Sequence, residues 1–221
     1  REVHRAALYG ALGHPAFPFE RAWLPDIREA ARSIEVVDTG AGCGAGGEDS
    51  HIWLDPGCVL RMTDSLEAAL ARLLPAEEGA IAEGAATTRE RVRQVETEAR
   101  EILAPHRGRS FMVFHPAWGH FARAFGLQQV AIEAEGKSPS PAELQRLVRR
   151  AEEESIGVVF VQPQFSREAA EIVAAEANAR VIALDPLRGD WDEGILEAAR
   201  ELADSFGADR REAGDRGRSR P

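Results

Sequence analysis

Phe111-Met112-Val113-Phe114 is an unbroken apolar run that follows Gly108 and ends on His115-Pro116. Successive side chains of a strand point to opposite sides, so four apolar residues in a row suit a strand buried on both faces. The pattern returns in Val130-Ala131-Ile132, Val158-Val159-Phe160-Val161 and Val181-Ile182-Ala183-Leu184, each preceded by a stretch with helical spacing. Such strands separated by helices predict a parallel sheet covered on both faces. Ser140-Pro141-Ala142-Glu143 marks one of the intervening helix starts, with Ser as the cap, Pro in the first turn and an acid at the third position.

Upstream, the stretch from Ala76 to Leu103 has no proline and is dense in Glu, Arg and Ala. Val92, Val95, Ala99, Ile102 and Leu103 form a narrow apolar stripe on it, which predicts one long helix over 76–104 with a single buried face. At 1.5 Å per residue such a helix reaches roughly 40 Å, enough for a strut between two lobes. Before it, residues 1–75 alternate strand and helix again. They hold a helix-like stretch around Phe19 to Ala31, a short strand Ile34-Glu35-Val36-Val37 and a glycine-rich loop from Gly40 to Gly47. Val59, Met62, Leu66, Leu70 and Leu73 then recur at helical spacing from about Gly57 to Leu74. The organisation is thus a first lobe over 1–75, a linking helix over 76–104 and a second lobe over 105–206. The polar tail over 207–221 has a composition that predicts disorder.

The chain has 221 residues, with 27 Lys+Arg against 37 Asp+Glu and a formal net charge of −10. A phosphate-backbone binder needs a basic patch or stripe, so nucleic acid is a poor partner. With 44% hydrophobic and 29% charged residues, the composition is that of a soluble globular protein and not of a disordered one. No apolar run approaches the length of about 18 residues that a membrane span needs. Arg1 to Ala7 lack the apolar segment of a signal peptide, which taken alone suggests the cytosol. Two cysteines, Cys43 and Cys58, are too few for a disulfide scaffold. They read equally as one bridge closing a short loop around His51 in an oxidising compartment, or as two unrelated thiols.

Ligands of a parallel α/β sheet gather at the carboxyl ends of its strands. His115, Gln162 and Asp185 each follow a predicted strand and are expected along one sheet edge. His115 and Asp185, both followed by proline, suit a pair of metal ligands or an acid/base pair. His51, between the glycine-rich loop and Trp53-Leu54-Asp55-Pro56, is the third candidate. The three are too far apart for a local metal motif, so only tertiary folding can unite them, but imidazole nitrogen and carboxylate oxygen are donors that Zn2+ accepts. Plainer readings stand beside these. An Asp before Pro is commonly a turn or cap residue, Trp53, Trp118, Trp191 and Phe165 suit a core, and Glu152-Glu153-Glu154 suits a solvated helix face. Glu133, after the second strand, reads as a solvated carboxylate or as a partner that orients a histidine ring. Gly40 to Gly47 lacks the Lys-Ser/Thr of a phosphate loop, which excludes a nucleotide site there.

Seven segments, in order, resemble the metal-binding solute receptors of zinc and manganese ABC transporters, the cluster A-I or adhesin-like binding proteins. They are Phe17-Pro18-Phe19-Glu20-Arg21-Ala22-Trp23-Leu24, Val36-Val37-Asp38-Thr39, Ser50-His51-Ile52-Trp53-Leu54-Asp55-Pro56, Phe114-His115-Pro116-Ala117-Trp118-Gly119, Glu135-Gly136-Lys137-Ser138-Pro139-Ser140-Pro141, Phe160-Val161-Gln162-Pro163-Gln164-Phe165-Ser166 and Leu184-Asp185-Pro186-Leu187. The likeness runs from about Leu8 to Phe206. It implies two Rossmann-like α/β lobes joined by a long rigid helix, with a metal site in the cleft between the lobes. The family's ligands carry over to His51 from the His-x-Trp motif, His115 from His-Pro-Ala-Trp and Asp185 from Asp-Pro-Leu. Manganese-selective relatives tend to carry Glu where His115 stands, so the set leans to Zn2+ with Mn2+ as second choice. Gln162 and Glu133 are expected near the site, as is His120, where relatives often have Tyr.

The family's further His, in a Pro-His segment, is expected before Arg1, together with the early strands of the first lobe and a signal peptide. On that expectation the first lobe is incomplete and the chain is N-terminally truncated. Neither His4 nor His14 sits in a matching context, and the loop before His51 is short and glycine-rich where many zinc members have a long His-rich one. The resemblance implies a monomeric periplasmic or lipid-anchored receptor that delivers Zn2+ to a membrane permease without bond chemistry. A zinc hydrolase with Glu133 as general base is the enzymatic alternative, and a metal-independent surface adhesin is the third.

Overall fold

The computed structural model describes residues 6–30, 33–44, 49–133, 139–165 and 167–218. Two compact units divide the chain, Arg1–Gln94 and Val95–Pro221. In the first, Leu8–Ala11 (β1) and Glu35–Asp38 (β2) pair in parallel, with Leu8 opposite Glu35 and Ala11 opposite Asp38. Pro18–Ala30 (α1) lies between them in sequence. β1 has no counterpart among the strands legible in the sequence, because Leu8-Tyr9-Gly10-Ala11 is only partly buried and broken by glycine, and so shows no apolar run. The turn after β1 is held by an acid from α1: the buried Glu20 carboxylate accepts from the Leu12 N–H at 2.7 Å and the Gly13 N–H at 2.9 Å. Pro56–Leu73 (α2) begins at a cap, where the Asp55 carboxylate accepts from the Gly57 N–H at 2.8 Å and Pro56 fills the first turn.

Glu78–Leu103 (α3) follows a short 3-10 turn at Pro75–Glu77. Val92, Val95, Ala99 and Leu103 are buried along it, with Ile102 half-buried beside them, as the apolar stripe requires. The boundary between the units falls inside this helix and not at its ends. Its first part is tied to α2, where Arg89 pairs with Asp64 at 2.8 Å and also with Glu67. Its last part is tied to the second unit, where Arg100 lies 5.7 Å from the Phe125 ring centre and Glu98 meets Arg200 at 3.2 Å.

The second unit is built on four parallel strands, Ser110–Val113 (β3), Gln128–Ala131 (β4), Val158–Val161 (β5) and Arg180–Ala183 (β6), in the order β4-β3-β5-β6. Gly119–Phe125 (α4), Pro141–Glu153 (α5) and Arg167–Glu176 (α6) connect them. Every residue of the central strands β3 and β5 is buried, as their continuous apolar runs demand. Met112, Phe114, Val130, Ile132, Val159 and Val161 pack on one face with Ala151 of α5 and Ala170 and Val173 of α6. Alternation along the strands sends Phe111 and Phe160 to the opposite face, where the rings meet edge to face at 6.4 Å.

Local signals hold where they are strongest. The Glu143 N–H donates to Ser140 Oγ at 3.4 Å and the Glu143 carboxylate accepts from the Ser140 N–H at 2.8 Å, a reciprocal cap at the start of α5. Glu152 and Glu153 are exposed, but Glu154 does not join them in a solvated face. Hydrogen bonds from Ser110 and then Arg150 hold its carboxyl below the usual range. Trp191–Arg218 (α7) continues as helix through 207–218, where the sequence reads as a disordered tail. That stretch contains Ala, Arg and Glu, which are good helix formers even without an apolar period. Among the described residues no helix is long and apolar enough to cross a membrane.

A Cβ added at Gly40 would fall 2.1 Å from the Leu12 carbonyl oxygen and 2.5 Å from Ile52 Cδ1. A backbone oxygen cannot step aside as a flexible side chain can. Gly40→Ala is therefore expected to destabilise the first unit by about 1–3 kcal/mol, seen as a lower denaturation midpoint; an unchanged midpoint would contradict this close approach.

Candidate metal centre

The pairing of β3 with β4 runs past the strand ends. The Ile132 N–H donates to Val113 O at 2.9 Å and the Glu133 N–H to Phe114 O at 3.0 Å, while on the other side the Phe114 N–H donates to Phe160 O at 2.8 Å. These bonds bring the residues after three strands to one edge of the sheet. The Glu133 carboxylate lies against His115 Nδ1 in a hydrogen-bonded pair, with Glu133 buried at 5% side-chain exposure and His115 more open at 29%. Phe165 stacks on the His115 ring at 4.7 Å and 21°. Gln162, only 2% exposed, donates through Nε2 to the His115 carbonyl at 3.0 Å, and its buried Oε1 has no hydrogen-bond partner among the described residues.

An ionised carboxylate can only accept, so His115 Nδ1 is the donor in this pair, and in the neutral imidazole the lone pair is then on Nε2. Metal-ligating imidazoles are held in this way by an acceptor on the other nitrogen. His51, in the first unit, shows the same chemistry by a shorter route. Asp49 Oδ1 accepts from the His51 N–H at 3.0 Å and pairs with His51 Nδ1 at 2.7 Å, and Trp53 meets the ring edgewise at 5.1 Å. At Asp185 the hydrogen bonds fall on Oδ1, from Gln164 Nε2 at 3.1 Å and the Leu187 N–H at 3.0 Å. The second is the turn bond expected of an Asp before Pro, and both bonds fall on the same oxygen.

His120 differs. It is buried on α4, and its Nδ1 accepts from the Arg123 guanidinium at 2.8 Å, so the ring holds the other tautomer with Nδ1 committed to a cation. His14 is buried in a local turn where its Nδ1 accepts from the Ala16 N–H at 3.2 Å. His4 and the segment from Glu135 to Ser138 lie outside the described residues. Among the described residues no group of three or more His, Cys, Asp or Glu side chains is arranged to hold a metal ion. Sequence reasoning missed three partners, Asp49, Gln164 and Phe165 in its stacking role. Of these only Asp49, two positions before His51, left a signal that could have been read locally.

Removing the acceptor tests the tautomer. In Glu133→Ala the 15N resonances of His115 are expected to move from the Nδ1–H form toward the Nε2–H form that free imidazole side chains favour. Unchanged shifts would show that Glu133 does not set the ring.

Against known proteins, the chain matches the family described as "Zinc-uptake complex component A periplasmic" over residues 2–206. It is 28% identical over 173 residues to the high-affinity zinc uptake system protein ZnuA of Paracoccus denitrificans (strain Pd 1222), covering 74% of this chain and 53% of that protein. The chain thus spans about half the length of that curated relative. Among solved structures it is similar to a crystal structure of ZnuA, with TM-score 0.86 and 33% identity over 92% of this chain and 81% of the other. The laminin-binding protein Lbp of Streptococcus pyogenes shares the fold at TM-score 0.78 and 20% identity, over 92% and 82% of the two chains.

Proposed function

Because the chain belongs to the family described as the periplasmic component A of the zinc-uptake complex, we propose that it captures Zn2+ outside the cytoplasm and hands it to an ABC transporter permease. Its place is the periplasm or, as a lipid-anchored protein, the extracytoplasmic side of the membrane, and it acts as a monomer. The ligands are His51 and His115 through Nε2 and Asp185 through its carboxylate. The observation that carries the reading is the pairing of both candidate imidazoles with carboxylates at Nδ1, Asp49 for His51 and Glu133 for His115. Two nitrogens with one oxygen favour Zn2+ over Mn2+, which prefers oxygen donors. The ion is cargo and undergoes no bond chemistry. Glu133, the general base that a hydrolase would need, is buried and committed to His115 Nδ1. Gln162 supports the same ligand through the main chain, and His120 contributes packing on α4.

Calorimetric titration with Zn2+ tests this. His115→Ala should bind at least about 100-fold more weakly than the parent chain, and Glu133→Ala about 10–100-fold more weakly, because a ligand's carboxylate partner contributes on that scale. Equal zinc affinity in parent and His115→Ala would sink the assignment. A metal-bound imidazole must be unprotonated, so binding should release protons and weaken as the solution is acidified. Titrations in buffers of different ionisation enthalpy read that release directly.

A further inference from the structure

Cys43 and Cys58 take no part in the metal reading, yet they are not two unrelated thiols. Both are 2% exposed and pack in one cluster with Ile52, flanked by Leu12 and Met62. The Cys58 thiol donates to Asp55 Oδ2 at 3.9 Å, and Cys43 lies beside it in the same buried cluster. Their backbones are anchored separately. The Cys43 N–H donates to Gly40 O at 2.9 Å in a turn flanked by Gly42 and Gly44 at φ +78° and +75°, and the Cys58 N–H donates to Asp55 O at 2.9 Å in the first turn of α2. Between these anchors the chain carries Asp49 and His51. Bridging two cysteines demands close sulfurs and a backbone able to adjust, and the glycines on both sides of Cys43 supply the second condition.

We propose that Cys43 and Cys58 are a redox pair whose disulfide locks the loop bearing Asp49 and His51. The oxidant is an external disulfide such as oxidised glutathione. Cys43 sits between two glycines at positive φ, whereas Cys58 is held in the first turn of α2 and burial pushes its thiol up, so exchange starts at Cys43. Its sulfur, having lost its proton, attacks one sulfur of the oxidant, which releases one glutathione and leaves a mixed disulfide. The Cys58 sulfur then loses its proton and attacks Cys43 Sγ, forming the internal bond and releasing the second glutathione. The protein gives up two protons and two electrons, and the oxidant takes up both as it becomes two reduced thiols.

The test uses the whole chain with a chelator present, so that its outcome is independent of the zinc reading. After equilibration in oxidised or reduced glutathione, thiols are alkylated under denaturing conditions and counted by mass. Oxidation should reduce the thiol count from two to zero with a 2 Da loss. It should raise the thermal midpoint by about 6–12 °C, the effect expected for a closed loop of about 15 residues in a chain of this size. It should also slow hydrogen exchange in the peptide containing His51. Cys43→Ser and Cys58→Ser, each a near-isosteric change, should lose the redox response of the midpoint. Two thiols surviving in oxidised glutathione, glutathione adducts or chain-to-chain dimers in place of the internal bridge, or equal exchange at His51 in both redox states would overturn the proposal.

Discussion

An imidazole offers a single lone pair once its other nitrogen is held as a donor, and at His115 the Glu133 carboxylate does that holding. The contact exists because β4 lies beside β3 and their hydrogen bonding continues for two residues beyond the strands, to Glu133. A shift of one residue in that register would turn Glu133 away from His115, since neighbouring side chains of a strand face opposite sides. The apolar residues that fix the register, Met112 on β3 with Phe114 just after it and Val130 on β4 with Ile132 just after it, are the same ones that fill the core under α5 and α6. Core packing and the chemistry of the site are therefore one constraint. Phe165 and Gln162, from the loop after β5, complete the hold by stacking on the ring and fixing its main chain.

The first unit reaches the same tautomer without a sheet. Asp49 lies two residues before His51 and binds both the main-chain N–H and the ring Nδ1, so the arrangement is local and needs only a turn. That economy suits a unit whose described sheet has two strands and whose buried residues are few. His120 provides the contrast. Its Nδ1 faces a cation, Arg123, and so must accept, which reverses the ring's proton placement in a more buried setting. Histidine content alone says nothing about ligation; the sign of the group at Nδ1 separates the candidates.

Charge elsewhere in the chain serves register more than stability. The ion pairs that tie the two ends of α3 to their separate units include Arg89 with Asp64 and Arg200 with Glu98, and exposed pairs of this kind contribute only about 0–1 kcal/mol each. The buried stripe of Val92, Val95, Ala99 and Leu103 carries the helix's packing energy. The acidic excess, a net −10, fits a protein whose proposed cargo is a cation.

The sequence by itself determined the parallel sheet, the long helix and the capping box at Ser140. Each rests on residues close in the chain: apolar runs of four, a stripe at helical spacing, a cap three residues from its partner. It also marked His115, Gln162 and Asp185 as residues after strands, because strand ends are local features. β1 escaped notice because its burial comes from pairing with β2 and carries no pattern of its own. Only the tertiary structure decided which carboxylate faces which imidazole, that Glu154 turns to Ser110, and that Cys43 meets Cys58. Those contacts join residues from separate turns and elements, and strand order and helix packing, not nearby sequence, set which ones meet.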